Sequence, residues 1–159
     1  MKISFAGHSK IPSSGEIKKL VKELIRNHIE NEKQITCYLG GYGDFDAICA
    51  CVCRELKTEY VNMELVYVMP YIHISEQVKV KEMIDLGFYD RSVYPPVENT
   101  PPKFAILKRN EWMMVNADII IAYVQHRYGG VYKSLQVANR KKKKVINIYD
   151  LLSNKASKE

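Results

Sequence analysis

A chain of 159 residues, of which 47% are hydrophobic and 26% charged, can form one well-packed domain but is too short for two of ordinary size. This composition excludes a disordered or fibrous protein, and no apolar run reaches the roughly 18 residues that a membrane span requires. Much of the formal net charge of +6 lies in residues 140–144 and in Lys155 and Lys158.

The N-terminal residues and the cysteines favour a cytoplasmic protein. Residues 1–7 are too short and too soon polar for a signal peptide, and we interpret them as the first core strand. Cys49, Cys51 and Cys53 lie in one predicted helix. Their spacing suits neither a disulfide nor a zinc site, so we expect small buried thiols there.

The apolar pattern predicts strands and helices that alternate along the chain. Strands are predicted at residues 2–6, 35–39, 62–69, 118–124 and 144–149, and helices at 13–31, 44–58, 75–86, 103–116 and 130–141. We expect Ser13 or Ser14 to cap the first helix, Asp44 to cap the second, and Gly87 to end the third. Two proline pairs predict a loop at residues 94–102.

Strands that alternate with helices predict an α/β protein, a Rossmann-like three-layer sandwich with helices on both faces of the sheet. We expect five mostly parallel strands in the order 3-2-1-4-5, with the flavodoxin-like order 2-1-3-4-5 as the alternative. Residues 1–150 are predicted to form this single domain, and residues 151–159 a short, basic, frayed tail.

Glycine-containing turns follow the first, second and fourth predicted strands. Their sequences are Gly7-His8-Ser9, Gly40-Gly41-Tyr42-Gly43-Asp44-Phe45-Asp46 and Gln125-His126-Arg127-Tyr128-Gly129-Gly130. The carboxyl ends of parallel strands share one edge of the sheet, so the three turns are expected to meet in one crevice. Glycine turns that lead into helices offer backbone N–H donors to a phosphate, which predicts a site for a phosphorylated ligand.

No single turn matches a standard fingerprint. Gly41-x-Gly43 lacks the third glycine of the dinucleotide motif, and no Gly-Lys-Ser/Thr follows it as in a phosphate-loop NTPase. Tight strand-to-helix turns are the structural alternative for each glycine pair. The convergence of all three turns is the observation that favours a ligand site.

Taken together, these motifs resemble the SLOG superfamily, the Rossmann-like group that includes the DprA and LOG proteins. The resemblance is closer to the small stand-alone SLOG proteins of Gram-positive bacteria and their phages. It covers nearly the whole chain and implies a nucleotide-derived ligand and a homo-oligomer. The residues that carry it are Phe5-Ala6-Gly7-His8, Tyr38 to Asp46, Arg109-Asn110-x-Trp112-Met113 and Asn116 to Gly130.

The chain departs from the LOG enzymes at their catalytic motif. Those enzymes hydrolyse nucleoside monophosphates and carry Pro-Gly-Gly-x-Gly-Thr-x-x-Glu after the fourth strand. Here Tyr128 replaces the proline, Tyr132 the third glycine, Lys133 the threonine and Gln136 the glutamate. Loss of that carboxylate argues against hydrolysis, and Lys133 suits phosphate binding instead.

We therefore predict a protein that binds or senses a nucleotide or nucleotide derivative, with no required cofactor and no metal. Backbone N–H groups after strands two and four would hold phosphate with Arg127 or Lys133, Asp44 or Asp46 would meet a ribose, and His8 with Tyr42 would border the base. The predicted ligand-binding residues are Gly7, His8, Ser9, Gly40, Gly41, Tyr42, Gly43, Asp44, Asp46, His126, Arg127, Gly129, Gly130 and Lys133.

Two other functions stay open at this point. One is a divergent LOG-type phosphoribohydrolase with His8, His126 or Asp46 as acid or base. The other is a DprA-like binder of single-stranded nucleic acid that uses the lysine run, which is not favoured because no aromatic residues interleave with the lysines. Arg109, Asn110 or both are candidates for facing the crevice or a partner subunit.

Overall fold

The computed structural model describes residues 1–13 and 15–158. The strands are β1 Lys2–Gly7, β2 Ile35–Leu39, β3 Met63–Val68, β4 Arg91–Val93, β5 Ile119–Tyr123 and β6 Lys144–Asn147. The helices are α1 Gly15–Ile29, α2 Gly43–Lys57, α3 Ile74–Asp85, α4 Ala105–Asn116, α5 Gly129–Arg140 and α6 Ile148–Ala156, and a 3-10 turn, Pro102–Phe104, leads into α4.

All strands belong to one parallel sheet in the order β4-β3-β2-β1-β5-β6. The predicted order 3-2-1-4-5 is confirmed, because its members are β3, β2, β1, β5 and β6. Within the residues that the structure describes, the sheet has six strands and not five. The additional strand, β4, pairs only three residues with β3 at the edge, and such a short segment beside a proline pair carries no alternating pattern.

The C-terminal residues differ from the expectation of a strand followed by a frayed tail. Strand β6 ends at Asn147, and helix α6 begins at the next residue. The Asn147 side chain donates to the Val124 carbonyl and accepts from the Val124 N–H, both at 2.9 Å. Ile148 is buried and Leu152 packs against the core. The apolar residues that predicted an extended strand therefore belong to the first turns of a helix.

The three predicted helix caps have different outcomes. The N-cap of α2 is Tyr42, which makes no side-chain cap bond, and Asp44 lies in the first turn. The prediction of Asp44 as the cap was wrong because Gly43, with its positive φ of 87°, starts the helix one residue earlier. For α1, Ser14 lies outside the described residues. Gly87 follows the C-cap of α3 with a φ of 79°, as predicted.

The core consists of two apolar layers, one on each face of the sheet. Ile119, Ile121 and Tyr123 of β5 face the layer that α1, α2, α3 and α6 cover, while Ile120 and Ala122 face α4 and α5. This alternation is expected of a strand buried on both faces. Cys49 and Cys53 are buried as predicted, and Cys51 is half-buried. No helix of the described residues is long and apolar enough to cross a membrane.

Gly43 is the position where the turn before α2 tolerates least change. A Cβ there would lie 2.5 Å from the Ser9 Cα atom, and the φ of 87° is unfavourable for any side chain. We expect Gly43→Ala to lower the free energy of unfolding by about 1–3 kcal/mol in urea titrations. Gly15→Ala is the control, because a Cβ at Gly15 meets no atom within 4 Å. Equal stability of the two variants would contradict this account of the turn.

Candidate functional site

The three glycine turns meet at the carboxyl edge of the sheet, as the sequence predicted. They surround a cleft of about 500 Å³ between the ends of β1 and β5, closed on one side by α4 and α5. This volume lies within the range of roughly 300–1,000 Å³ that is usual for small-ligand sites. Of the predicted ligand-binding residues, the cleft is lined by Gly7, His8, Ser9, Tyr42, Asp46, His126, Gly129 and Gly130.

His8 connects the end of β1 to the loop after β5. Its Nε2 atom accepts a hydrogen bond of 2.9 Å from the Gln125 N–H and lies 3.5 Å from the His126 nitrogen. Burial, with His126 beside it, lowers the pKa of His8. The imidazole is therefore held in the neutral form with its proton on Nδ1. This arrangement makes His8 an anchor for the loop and removes Nε2 as a proton donor.

The turn between β2 and α2 is fastened by its own hydrogen bonds. The Tyr42 N–H donates to Asp46 Oδ2 at 2.9 Å, and the Asp44 N–H donates to the Ser9 carbonyl at 2.8 Å. Asp44 also accepts from the Ile11 N–H at 3.2 Å. Two N–H donors that the sequence analysis assigned to phosphate are thus already occupied, and Asp44 fixes the loop after β1.

Arg109 is a fully buried guanidinium at this edge, with 0% of its surface exposed. Its Nη1 donates to the Gly40 carbonyl at 2.7 Å and to the Val68 carbonyl at 2.8 Å, and its Nε donates to Asn110 Oδ1 at 2.8 Å. Arg109 and Asn110 both line the cleft. The side chain therefore joins α4 to the carboxyl ends of β2 and β3.

Asp46 lies opposite Arg109 across Gly40. A Cβ on Gly40 would come within 3.0 Å of Asp46 Oδ2 and 3.1 Å of Arg109 Cζ, so any larger residue would push against both groups. Burial raises the pKa of Asp46 to about 6, while the Tyr42 N–H and the Arg109 charge act in the opposite direction. Asp46 is thus a half-buried carboxyl group that can donate or accept a proton near neutral pH.

The start of α5 forms the opposite wall of the cleft. Gly129, Gly130 and Val131 line it, and the N-cap residue Tyr128 makes no side-chain cap bond. The first N–H groups of a helix have no partner within the helix, so this end favours an anionic ligand. The rings of Tyr128 and His126 stack at a centroid distance of 5.0 Å and an interplanar angle of 17°.

Several predicted site residues lie elsewhere. Arg127 and Lys133 are exposed and do not line the cleft. Gly40 is buried and does not line it either. Gly41 and Gly43 line a second cavity. Conversely, the cleft is also lined by residues that were not predicted from the sequence, among them Lys10, Ile106, Leu107, Val131 and Ser134. Lys10 directly follows the first turn and could have been included. Ile106 and Leu107 could not, since they resemble ordinary core residues of a helix.

Solved structures of DNA processing protein A share this architecture. The protein from Streptococcus pneumoniae superposes with a TM-score of 0.62 at 14% identity, over 91% of this chain and 48% of that one. The fold is DprA-like. The Helicobacter pylori protein, whose structure was described for its single-stranded DNA binding mode, gives a TM-score of 0.58 at 18% identity, over 91% of this chain and 63% of that one.

At these identities the likeness concerns the DprA-like fold, and the chain spans about half to two thirds of the length of those two proteins. No protein-family model matches the chain, and no curated protein matches it. The closer resemblance to small stand-alone SLOG proteins stays a prediction. Gln136, which replaces the LOG glutamate, is exposed and does not line the cleft of this DprA-like fold.

The raised pKa of Asp46 has a measurable consequence for stability. Its value of about 6 in the folded state lies above the ordinary 3.8, so ionisation favours the unfolded chain as the pH rises from about 4 to 6. Across this window we expect Asp46→Asn to gain stability relative to the unchanged protein, by on the order of 2 kcal/mol. Urea titrations at pH 4 to 8 measure the difference, and a difference that is flat with pH would contradict the raised pKa.

Proposed function

We propose that the chain binds a nucleotide or nucleotide derivative in the cleft at the carboxyl edge of the sheet. The observation that carries this proposal is the meeting of three kinds of group around one cavity. Free backbone N–H donors at the start of α5 and the Lys10 side chain line the wall of the cavity. Asp46 and Asn110 provide oxygen atoms for hydrogen bonds, and aromatic rings lie at the mouth. These groups suit the phosphate, the ribose and the base respectively.

The phosphate is assigned to α5 and not to the turn before α2. In the turn before α2, the Tyr42 and Asp44 N–H groups are bonded within the protein, and the Asp46 carboxylate would repel a phosphate. At α5 the first turn contains no acidic residue, and Lys10 adds a positive charge to the same cleft. Of the two turns predicted from the sequence to bind phosphate, we therefore keep only the one at the start of α5.

Isothermal titration calorimetry with AMP, GMP, CMP and UMP tests this proposal. Gly130→Val adds bulk to a residue that lines the cleft, at a position where a Cβ meets no protein atom within 4 Å. The added side chain would hold a phosphate away from the first N–H groups of α5. We therefore expect Gly130→Val to weaken binding of the preferred nucleotide at least about tenfold, the factor that corresponds to the loss of one charge-assisted hydrogen bond.

Gly15→Val is the matched control, because Gly15 also lies in the first turn of a helix, also has no neighbour at the Cβ position and lies outside the cleft. It should bind like the unchanged protein. Absence of binding by all four nucleotides, or equal binding by both glycine variants, would contradict the proposal. Release of free base during the titration would instead support the hydrolase alternative, with Asp46 as its acid or base.

A second candidate function, binding of single-stranded nucleic acid, is favoured by the exposed aromatic pair. Tyr128 is 71% exposed and stacks on His126 at the mouth of the cleft, which would provide a platform for bases. The Helicobacter pylori protein with the same fold has a described single-stranded DNA binding mode. The lysine run lies elsewhere, since β6 begins at Lys144 and its start is at the opposite edge of the parallel sheet.

Fluorescence anisotropy with a labelled oligothymidine separates these two surfaces. If the strand lies on the aromatic pair, Tyr128→Ala should weaken binding about tenfold, because stacking of one base contributes roughly 1–3 kcal/mol. The triple variant Lys141→Gln, Lys142→Gln, Lys143→Gln should then retain most of the affinity. The reverse result would assign nucleic acid to the lysine run, and no binding by the unchanged protein would exclude this candidate.

A further inference from the structure

A second cavity of about 250 Å³ lies on the other side of the glycine turn. Gly41 and Gly43 form one wall, and α2 contributes Asp46 and Arg54. Met83, Phe88 and Tyr89, at the end of α3 and the approach to β4, complete the lining. Asp46 also lines the main cleft, so this residue is shared by the two cavities.

Arg54 differs from the other basic residues of its surroundings. On this surface of α1 and α2, Lys18 pairs with Glu55 at 2.6 Å and Arg26 with Glu59 at 2.7 Å. Lys57 pairs with Asp90. In the described part of the chain, no carboxylate oxygen lies within 4.0 Å of the Arg54 side chain, which instead packs over the Phe88 ring at 5.0 Å from its centroid.

A half-buried guanidinium without a carboxylate partner has N–H donors that an anion can accept from. Its planar donors match phosphate and carboxylate oxygens, and packing on an aromatic ring holds it in place. In the second cavity this charge lies on the same face of α2 as Asp46, two turns of helix further along. The cavity therefore offers a positively charged end and a carboxyl end.

We propose that the ligand has two separated anionic groups and occupies both cavities. This inference rests on the proposed function. The first phosphate lies at the start of α5 and a ribose hydroxyl meets Asp46. The second phosphate or carboxylate lies against Arg54, beyond the turn formed by Gly41 and Gly43. The chemical class is a nucleotide extended by a second anionic unit, for which a 5′-phosphorylated dinucleotide is the simplest probe.

Calorimetry with pApA and with AMP tests the inference on the full chain. The unchanged protein should bind pApA at least about tenfold more tightly than AMP, since one charge-assisted contact corresponds to this factor or more. Arg54→Gln should remove that advantage and leave AMP binding within about twofold. Arg140→Gln is the matched control, because it removes the same charge from an exposed residue outside both cavities.

The possible results separate this inference from the proposed function. If AMP binds and pApA binds no more tightly, the two-cavity ligand is excluded while the nucleotide site stands. The same conclusion follows if Arg54→Gln keeps the full advantage of pApA, with circular dichroism confirming that the variant is folded. If neither compound binds the unchanged protein, the proposed function and this inference both fail.

Discussion

The buried guanidinium of Arg109 is the constraint on which the edge of this sheet depends. It comes from α4 and donates to the carbonyls of Gly40 and Val68, at the ends of two neighbouring strands. A buried charge is tolerated only when its donors are bonded, and these carbonyls together with Asn110 provide the partners. The interaction fixes where the turn after β2 begins and places a positive charge beside Asp46.

The walls of the cleft are joined to one another by hydrogen bonds to backbone groups and by one close backbone approach. His8 accepts from the loop after β5, Asp44 binds the loop after β1, and Gly43 allows Ser9 to approach the start of α2. These contacts fix the turns on the two sides of the cleft relative to one another. A site whose walls are already joined avoids much of the ordering cost of binding.

Periodicity and turn chemistry predicted the edge that carries the cleft, and they left two alternative sheet orders, of which the favoured one, 3-2-1-4-5, is observed. The β-branched run 119–121 and the glycine turns are strong local signals. Strand β4 and helix α6 could not be predicted, because a three-residue edge strand has no pattern and Ile148 suits either structure. The burial of Arg109 was also beyond sequence reasoning, since its acceptors lie 69 and 41 residues away along the chain.

In the proposed function, the start of α5 holds the phosphate of the ligand. A titration of the ¹⁵N-labelled protein with AMP, followed in amide correlation spectra, tests it residue by residue. We expect the largest chemical-shift changes at the amides of Gly129, Gly130 and Val131, with smaller ones at Tyr42. Shifts confined to residues 140–144, or no shifts at saturating AMP, would contradict it.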